Sequence, residues 1–253
     1  MSLLWPDPMI IGLFPGECWL KQGRLAQRTE SSNNVSIESV LNDVATLLAD
    51  APVRKSRFAC ADVYLSDSFA RTTLMPWQGS LETEEQIRAY GQACLEAPGF
   101  PVDESSAVHS GFRWHGSPGM VTAISIKLIE SLCEMLGARG IKLRSVMPVS
   151  SAAYWHHAPK RGSAPVLLLG DAKRFTAFVY GGSRIVAMDV EPMLGQSHDS
   201  GKRLLNRLRL SGVQPSTIEC WLLKNDLGIE PGDRYAMEGT LITSLKKPRW
   251  GYE

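Results

Sequence analysis

The same order of predicted elements occurs twice in this chain of 253 residues: three short strands, a helix and a fourth strand, at 9–65 and again at 165–223. In each copy, short apolar runs separated by turn residues predict an antiparallel meander. Leucines and valines at helical spacing then predict the helix that follows. The two copies share almost no residues, so the repeat is one of architecture, and it predicts an α/β protein with two lobes.

A long insertion separates the two copies. Ser66-Asp67-Ser68 predicts a turn that joins strands at 57–65 and 69–77 as a hairpin. A helix capped by Ser80, two strands at 105–114 and 119–124, a helix, a strand at 141–146 and a helix at 150–157 follow. We place a boundary in the loop at 159–165, which gives a first lobe at 1–158, a second, smaller lobe at 159–225 and a C-terminal extension at 226–253.

Charge and hydropathy exclude several classes of protein. Lys and Arg number 27 against 26 Asp and Glu, and this balance disfavours the basic surface of a nucleic-acid-binding protein. No apolar stretch approaches the roughly 20 residues that a membrane-spanning helix needs. Pro6 and Pro8 interrupt an N-terminal segment that lacks a charged region, so we expect no export signal and a cytoplasmic protein.

The cysteines and histidines do not have the spacing of a metal site. Five cysteines are scattered without a C-x-x-C pair, which predicts reduced thiols, mostly in the core, and no zinc. His156 and His157 are adjacent, so on a helix their side chains diverge, and a surface pair is expected. We therefore predict that the chain holds no metal.

Two stretches in the insertion carry a resemblance to a known family. The first is Leu65-Ser-Asp-Ser-Phe-Ala-Arg71 followed by Leu74-Met-Pro-Trp77, and the second is Ser145-Val-Met-Pro148 leading into Ser151-Ala-Ala. Together they resemble signatures of the cytoplasmic actin-like proteins of type IV pilus and type II secretion assembly, the PilM, MshI and GspL type. The resemblance implies a two-lobed actin-like ATPase fold, in which duplicated ribonuclease-H-like halves face a cleft.

The chain departs from the nucleotide-binding pattern that this resemblance implies. In family members that bind ATP, glycines of a hairpin in each half approach the phosphates, and an Asp positions the metal and water. The corresponding residues here are Gly12, Gly16, Gly170 and Asp171, if a nucleotide pocket is retained. The expected carboxylate falls on Leu168, however, and Glu17 lies after its turn rather than before it. We therefore expect a degenerate fold with no efficient ATPase and no cofactor, unless the cleft still takes ATP and Mg²⁺.

These observations predict a non-catalytic cytoplasmic scaffold of a type IV pilus or type II secretion platform, recruited to the inner face of the inner membrane. Its partners would be inner-membrane assembly proteins, bound through short cytoplasmic peptides, with an assembly ATPase as a further candidate. Arg71, Arg203 and Arg207 are candidate partner contacts, although basic residues opposite a leucine face also form solvated surfaces.

Two alternatives remain open at this point. One is an active kinase or ATPase of the same superfold that uses Asp171, Asp62 or Glu17 as its metal-positioning carboxylate. Asp62 interrupts an apolar run, where a carboxylate needs a partner, and Arg71 could pair with Asp62 or with Asp67. The other is an unrelated α/β interaction module with no cleft, which lobes that cannot be superimposed would favour.

Overall fold

The computed structural model describes residues 8–23, 25–30, 36–50, 59–99, 101–157, 159, 164–171, 173–193, 197–223, 233–237 and 239–245. The first half contains β1 Met9–Phe14, β2 Glu17–Gln22, β3 Leu25–Glu30, α1 Ile37–Asp50, β4 Cys60–Leu65, β5 Ala70–Met75, α2 Glu84–Glu96, β6 Ser106–Gly111, β7 Gly119–Ser125, α3 Ile126–Gly137, β8 Lys142–Pro148 and α4 Val149–His156. The second half contains β9 Val166–Gly170, β10 Arg174–Gly181, β11 Arg184–Pro192, α5 Ser197–Leu210, β12 Thr217–Leu222, β13 Arg234–Met237 and β14 Thr240–Ser244.

The two predicted copies form two sheets of the same topology. The first sheet has the order β3-β2-β1-β4-β8, and the second begins with the corresponding order β11-β10-β9-β12-β14. In both, an antiparallel meander is followed by a helix and by a strand parallel to the first one. The predicted duplication is therefore confirmed.

The registers of the central strands, β2-β1-β4 in the first sheet and β10-β9-β12 in the second, also correspond residue by residue. Leu13 lies opposite Cys18 and Leu65 in the first sheet, and Gly170 lies opposite Phe175 and Leu222 in the second. The same difference in residue number relates each of these three positions in the first sheet to its counterpart in the second. This difference also relates two further main-chain bonds, from Ser66 N to Leu13 O and from Leu223 N to Gly170 O. The halves thus share backbone geometry without sharing side chains.

The hairpin predicted around Ser66–Ser68 is wrong. β4 pairs with β1 and β8 in the first sheet, whereas β5 pairs with β7 in a separate sheet of order β5-β7-β6. Residues Asp67–Phe69 form a short 3-10 turn in which the Ser66 side chain accepts a hydrogen bond from Ser68 N. The polar turn is present, but it carries the chain into another sheet, because the pairing partner of β5 comes 50 residues later in the sequence.

The second sheet continues past residue 225, since β14 lies parallel to β12 and β13 lies antiparallel to β14. These two strands are the described part of the predicted C-terminal extension. The proposed boundaries at 158/159 and 225/226 stay predictions, and most of the loop at 159–165 lies outside the described residues.

Each of the two large sheets packs one face on its own helices. Alternate residues of β1 and β4 pack on α1 and α3, and alternate residues of β9, β10 and β12 pack on α5. Burial raises the pKa of the Cys18 and Cys220 thiols to about 12 in these two cores, whereas Cys133 is exposed. None of the helices in the part of the chain that is described has the length and apolar character that a bilayer crossing requires.

The third sheet is covered by α2, which lies close to it at Gly91. A Cβ atom at this position would lie 2.7 Å from Ser110 Cβ and 2.9 Å from Val121 Cγ2. A side chain at position 91 would therefore force α2 away from β6 and β7.

We predict that Gly91→Ala destabilises the protein by about 1–3 kcal/mol, because the added methyl group overpacks this contact. The matched control is Gly137→Ala in α3, where a Cβ would meet nothing within 4 Å and alanine stabilises a helix by up to about 1 kcal/mol. Urea denaturation of the two variants measures the difference. Equal stability of the two variants would contradict the close approach at Gly91.

Candidate functional site between the lobes

The second faces of the two large sheets point toward each other, and the nucleotide cleft implied by the resemblance would lie between them. Because side chains alternate along a strand, Ile10, Gly12 and Phe14 of β1 lie on this face of the first sheet. Leu167 and Leu169 of β9 lie on the corresponding face of the second. Leu168, where the expected carboxylate falls, packs instead on the α5 side.

The space between these faces is filled by an apolar cluster, which we call the interlobe cluster. Its buried members come from both large sheets, from β7 of the third sheet and from α4: Phe14, Trp19, Met120, Val149, Ala152, Ala153, Tyr154, Leu167, Leu169, Phe178, Tyr180, Ile185, Trp221 and Leu223. Trp19, Tyr154 and Phe178 are among the largest fully buried side chains of the described residues. Burying one such side chain contributes about 1.5–3 kcal/mol, so separating the lobes would be unfavourable.

The glycines predicted to approach phosphates have side chains beside them. A Cβ at Gly12 would lie 2.1 Å from Trp19 Cε2, so the absent side chain leaves room for the indole. A Cβ at Gly170 would lie 2.8 Å from Leu222 Cδ2, on the α5 side of the second sheet. Gly16 has a φ of 76°, which the tight turn between β1 and β2 requires. A phosphate-binding role for these glycines stays a prediction, and at Gly12 it requires Trp19 to move.

Asp171 forms a buried hydrogen-bonded contact between the lobes. Its Oδ2 accepts hydrogen bonds from Ser66 Oγ at 2.7 Å and from Asp67 N at 2.9 Å. Its backbone N–H donates to Arg174 O at 3.0 Å and closes the turn between β9 and β10. Asp171 is 2% exposed and Ser66 is fully buried. The carboxylate that a shifted register could offer to a metal is thus bonded to the turn after β4.

Asp67 continues this contact to the start of α4. Its Oδ1 accepts hydrogen bonds from Ser150 Oγ at 2.7 Å and Ser150 N at 3.2 Å, and its Oδ2 lies 3.4 Å from Arg174 Nη2. A carboxylate at a helix N-terminus is favoured by the helix dipole. Asp67, Ser150 and Arg174 are not among the site residues that the sequence predicts, because Asp67 and Ser150 are 83 residues apart and only the fold brings them together.

The other end of α4 is held by Arg113. Its guanidinium donates to Tyr154 O and His157 O and lies 4.4 Å from the centroid of the Trp114 ring. His157 is half-buried, its Nδ1 lies 2.7 Å from Tyr180 Oη, and burial together with Arg113 lowers its pKa to about 4. The predicted surface pair is therefore correct for the exposed His156 and wrong for His157.

The two other candidate carboxylates are also paired within the chain. Asp62 on β4 accepts hydrogen bonds from Arg144 Nε at 2.8 Å and Ser145 Oγ at 2.7 Å, both on β8. Burial alone would raise the pKa of Asp62, but these hydrogen bonds and the Arg144 charge hold it below its ordinary value. Glu17 Oε2 lies 3.3 Å from Arg28 Nη2. Both suggested pairings of Arg71 are wrong, because Asp62 is paired with Arg144 and Asp67 with Arg174.

The candidate partner contacts lie away from the interlobe cluster and have intramolecular partners. Arg71 donates to Leu95 O at 2.6 Å and Pro101 O at 2.9 Å, near the end of α2. Arg203 and Arg207 on α5 bind Glu191 on β11, and Arg207 also binds Asp189. Hydrogen bonds from both arginines outweigh burial and lower the pKa of Glu191. A role of these arginines in partner binding stays a prediction.

Comparison with solved structures identifies the fold. A Bacteroides thetaiotaomicron protein with an actin-like ATPase fold and unknown function matches with a TM-score of 0.57 at 9% identity, over 87% of this chain and 82% of that one. The PilM–PilN type IV pilus biogenesis complex matches with a TM-score of 0.54 at 12% identity, over 87% of this chain and 81% of that one. The cytoplasmic domain of EpsL, an inner membrane component of the Vibrio cholerae type II secretion system, matches with a TM-score of 0.48 at 12% identity, over 85% of this chain and 82% of that one.

The first two matches establish the actin-like fold, so the alternative of an unrelated α/β module is wrong. The match to the PilM–PilN complex also confirms, at the level of the fold, the resemblance to actin-like proteins of type IV pilus assembly. No protein-family model matches the sequence, and no curated protein matches it.

We predict that Asp171→Ala destabilises the protein by about 1–3 kcal/mol, because it leaves the buried Ser66 hydroxyl and Asp67 N–H without their acceptor. The control is Glu134→Ala on the exposed side of α3, which should change stability by less than about 0.5 kcal/mol. Urea denaturation measures both. If Asp171→Ala is as mild as the control, Asp171 does not join the lobes in solution.

Asp62 should make stability depend on pH. Because its pKa is lowered in the folded state, its stabilising contribution is present above the unfolded pKa of about 4 and is lost as the pH falls through the folded value. We expect Asp62→Asn to be less stable than the native protein at pH 7, by no more than about 1 kcal/mol because Arg144 is half exposed. The difference should shrink below about pH 4, and urea denaturation across this range tests it. A difference that grows on acidification would be the opposite result.

Proposed function

We propose that this protein is a non-catalytic, actin-like scaffold that binds short cytoplasmic segments of inner-membrane proteins in a type IV pilus or type II secretion assembly. The observation that carries the proposal is the interlobe cluster. Aromatic and aliphatic side chains from both sheets pack against one another between the lobes, where the resemblance implies a nucleotide cleft. In this proposal the protein works at the cytoplasmic face of the inner membrane, and an assembly ATPase is a further candidate partner.

The state of the carboxylates supports the same conclusion. Phosphoryl transfer needs carboxylate oxygens that are free to hold Mg²⁺ near the phosphates. Asp171 is bonded to Ser66 and Asp67, and Asp62 is bonded to Arg144 and Ser145. Recruiting either one for a metal would break buried hydrogen bonds, which costs about 1–3 kcal/mol for each group left unpaired.

The choice of partner rests on the fold. One solved structure of the same fold is the PilM–PilN type IV pilus biogenesis complex. A scaffold of this kind binds through grooves and free strand edges, where an extended peptide adds main-chain hydrogen bonds.

Calorimetry with Mg-ATP separates the scaffold from an ATPase or kinase. We expect no binding heat with the native protein, because the interlobe cluster excludes the nucleotide. Micromolar binding that disappears in Asp171→Ala, and persists in the Glu134→Ala control, would instead support the enzyme. The Asp171→Ala protein is first checked for folding by circular dichroism.

Peptide titration tests the scaffold directly. Synthetic peptides with the cytoplasmic sequences of the organism's inner-membrane pilus and secretion proteins are titrated against the full chain. We expect saturable binding of one or a few of them. Absence of binding across the whole set would overturn the proposal.

A further inference from the structure

The three-stranded sheet ends in a strand whose outer edge is open. β6 is the terminal strand of the order β5-β7-β6, and its far side pairs with no other strand in the described ranges. Native proteins usually protect such edges with lysine, proline or a bulge. The sequence of β6, SAVHSG, contains neither lysine nor proline. Its pairing with β7 is regular from Ser106 to Gly111, without a bulge.

The register shows which main-chain groups of β6 point outward. Ile126 N donates to Ser105 O, and hydrogen-bonded pairs alternate along an antiparallel ladder. Ala107, His109 and Gly111 therefore bond to β7, whereas the N–H and C=O groups of Val108 and Ser110 point away from it. This is the pattern of donors and acceptors that an added strand requires.

A groove runs beside this edge. α2 lies close to the sheet at Gly91, and toward its N-terminus it leaves an open space of about 630 Å³ between its first turns and β6. Ile87 and Val108 supply apolar surface in the groove, and the other lining residues are Glu84, Glu85, Arg88, His109 and Ser110. An extended peptide on β6 would place every second side chain in this space.

The charge at the groove favours a basic occupant. Glu84 and Glu85 are both exposed at the start of α2, and Arg88 offsets only one of them. Cytoplasmic segments next to membrane spans are enriched in Lys and Arg. The exposed side chains on the outer strand β8 of the first sheet are Lys142 and Arg144, and the charge of Arg144 is paired with Asp62, so β8 is less favourable than β6 for a basic segment.

We propose that β6 and the adjoining groove dock an extended, basic cytoplasmic segment of an inner-membrane protein. This inference rests on the proposed scaffold function and assigns its binding site. The segment adds a fourth strand to the sheet through Val108 and Ser110, places an apolar side chain against Ile87, and directs Lys or Arg side chains to Glu84 and Glu85.

The test uses the double variant Glu84→Lys/Glu85→Lys of the full chain, with Glu130→Lys/Glu134→Lys on the exposed surface of α3 as the matched control of equal charge. The probes are fluorescein-labelled peptides with the cytoplasmic juxtamembrane sequences of inner-membrane pilus and secretion proteins. Each has a partner peptide in which every Lys and Arg is replaced by Glu. Affinity is measured by fluorescence anisotropy at about 50 mM and about 300 mM salt.

We expect the groove variant to bind the basic peptide at least about tenfold more weakly than the native protein, with a smaller loss at high salt. The control variant should bind almost as the native protein does. The Glu-substituted peptide should recover affinity for the groove variant, a result that mere damage to the fold cannot produce. In hydrogen exchange, the bound peptide should protect the amides of Val108 and Ser110.

Two results would overturn the inference in distinguishable ways. If a peptide binds the native protein and the groove variant equally well, the docking site lies elsewhere, and the scaffold function stands. If no peptide in the set binds the native protein, the scaffold function fails and the docking site fails with it.

Discussion

The packing of two sheets against each other through their second faces is the constraint on which the rest of this structure depends. Each sheet already buries one face on its own helices, so its other face must meet water, a ligand or the opposite sheet. Here it meets the opposite sheet, through Trp19, Tyr154, Phe178 and their neighbours. This packing also explains why position 12 is a glycine, because the Trp19 indole occupies the space that a side chain at Gly12 would take.

The buried polar contacts at the edge of the interlobe cluster follow from the same constraint. Once the lobes close, the turn after β4, the turn after β9 and the start of α4 are removed from water together. Their donors must then find acceptors inside the protein. Asp171 and Asp67 supply these acceptors. A carboxylate close to the position where the resemblance expects one can therefore serve packing, and its presence alone does not indicate catalysis.

The sequence predicts the duplicated architecture well, because β1–β4 and β9–β12 are set by local periodicity and turn residues. It does not predict that Ser66–Ser68 connects two different sheets, since the partner of β5 is distant in the chain and strand pairing leaves no local signal. The candidate site divides in the same way. Gly12, Gly16 and Asp171 could be singled out from the hairpins, but the covering of Gly12 by Trp19 and the bonding of Asp171 to Ser66 depend on how the lobes meet. His157 was misplaced for the same reason, because its partner Tyr180 belongs to the other lobe.

The shared interlobe cluster has a thermodynamic consequence. When two lobes are joined by a small polar contact, each can melt separately, and heating produces two transitions. Here the cluster between the sheets contains side chains from both halves. Unfolding of one half would therefore expose the apolar face of the other half to water. The whole chain should then denature as a single cooperative unit. The hinge motion by which two-lobed proteins open and close around a ligand would be unfavourable here, because opening would expose the shared cluster.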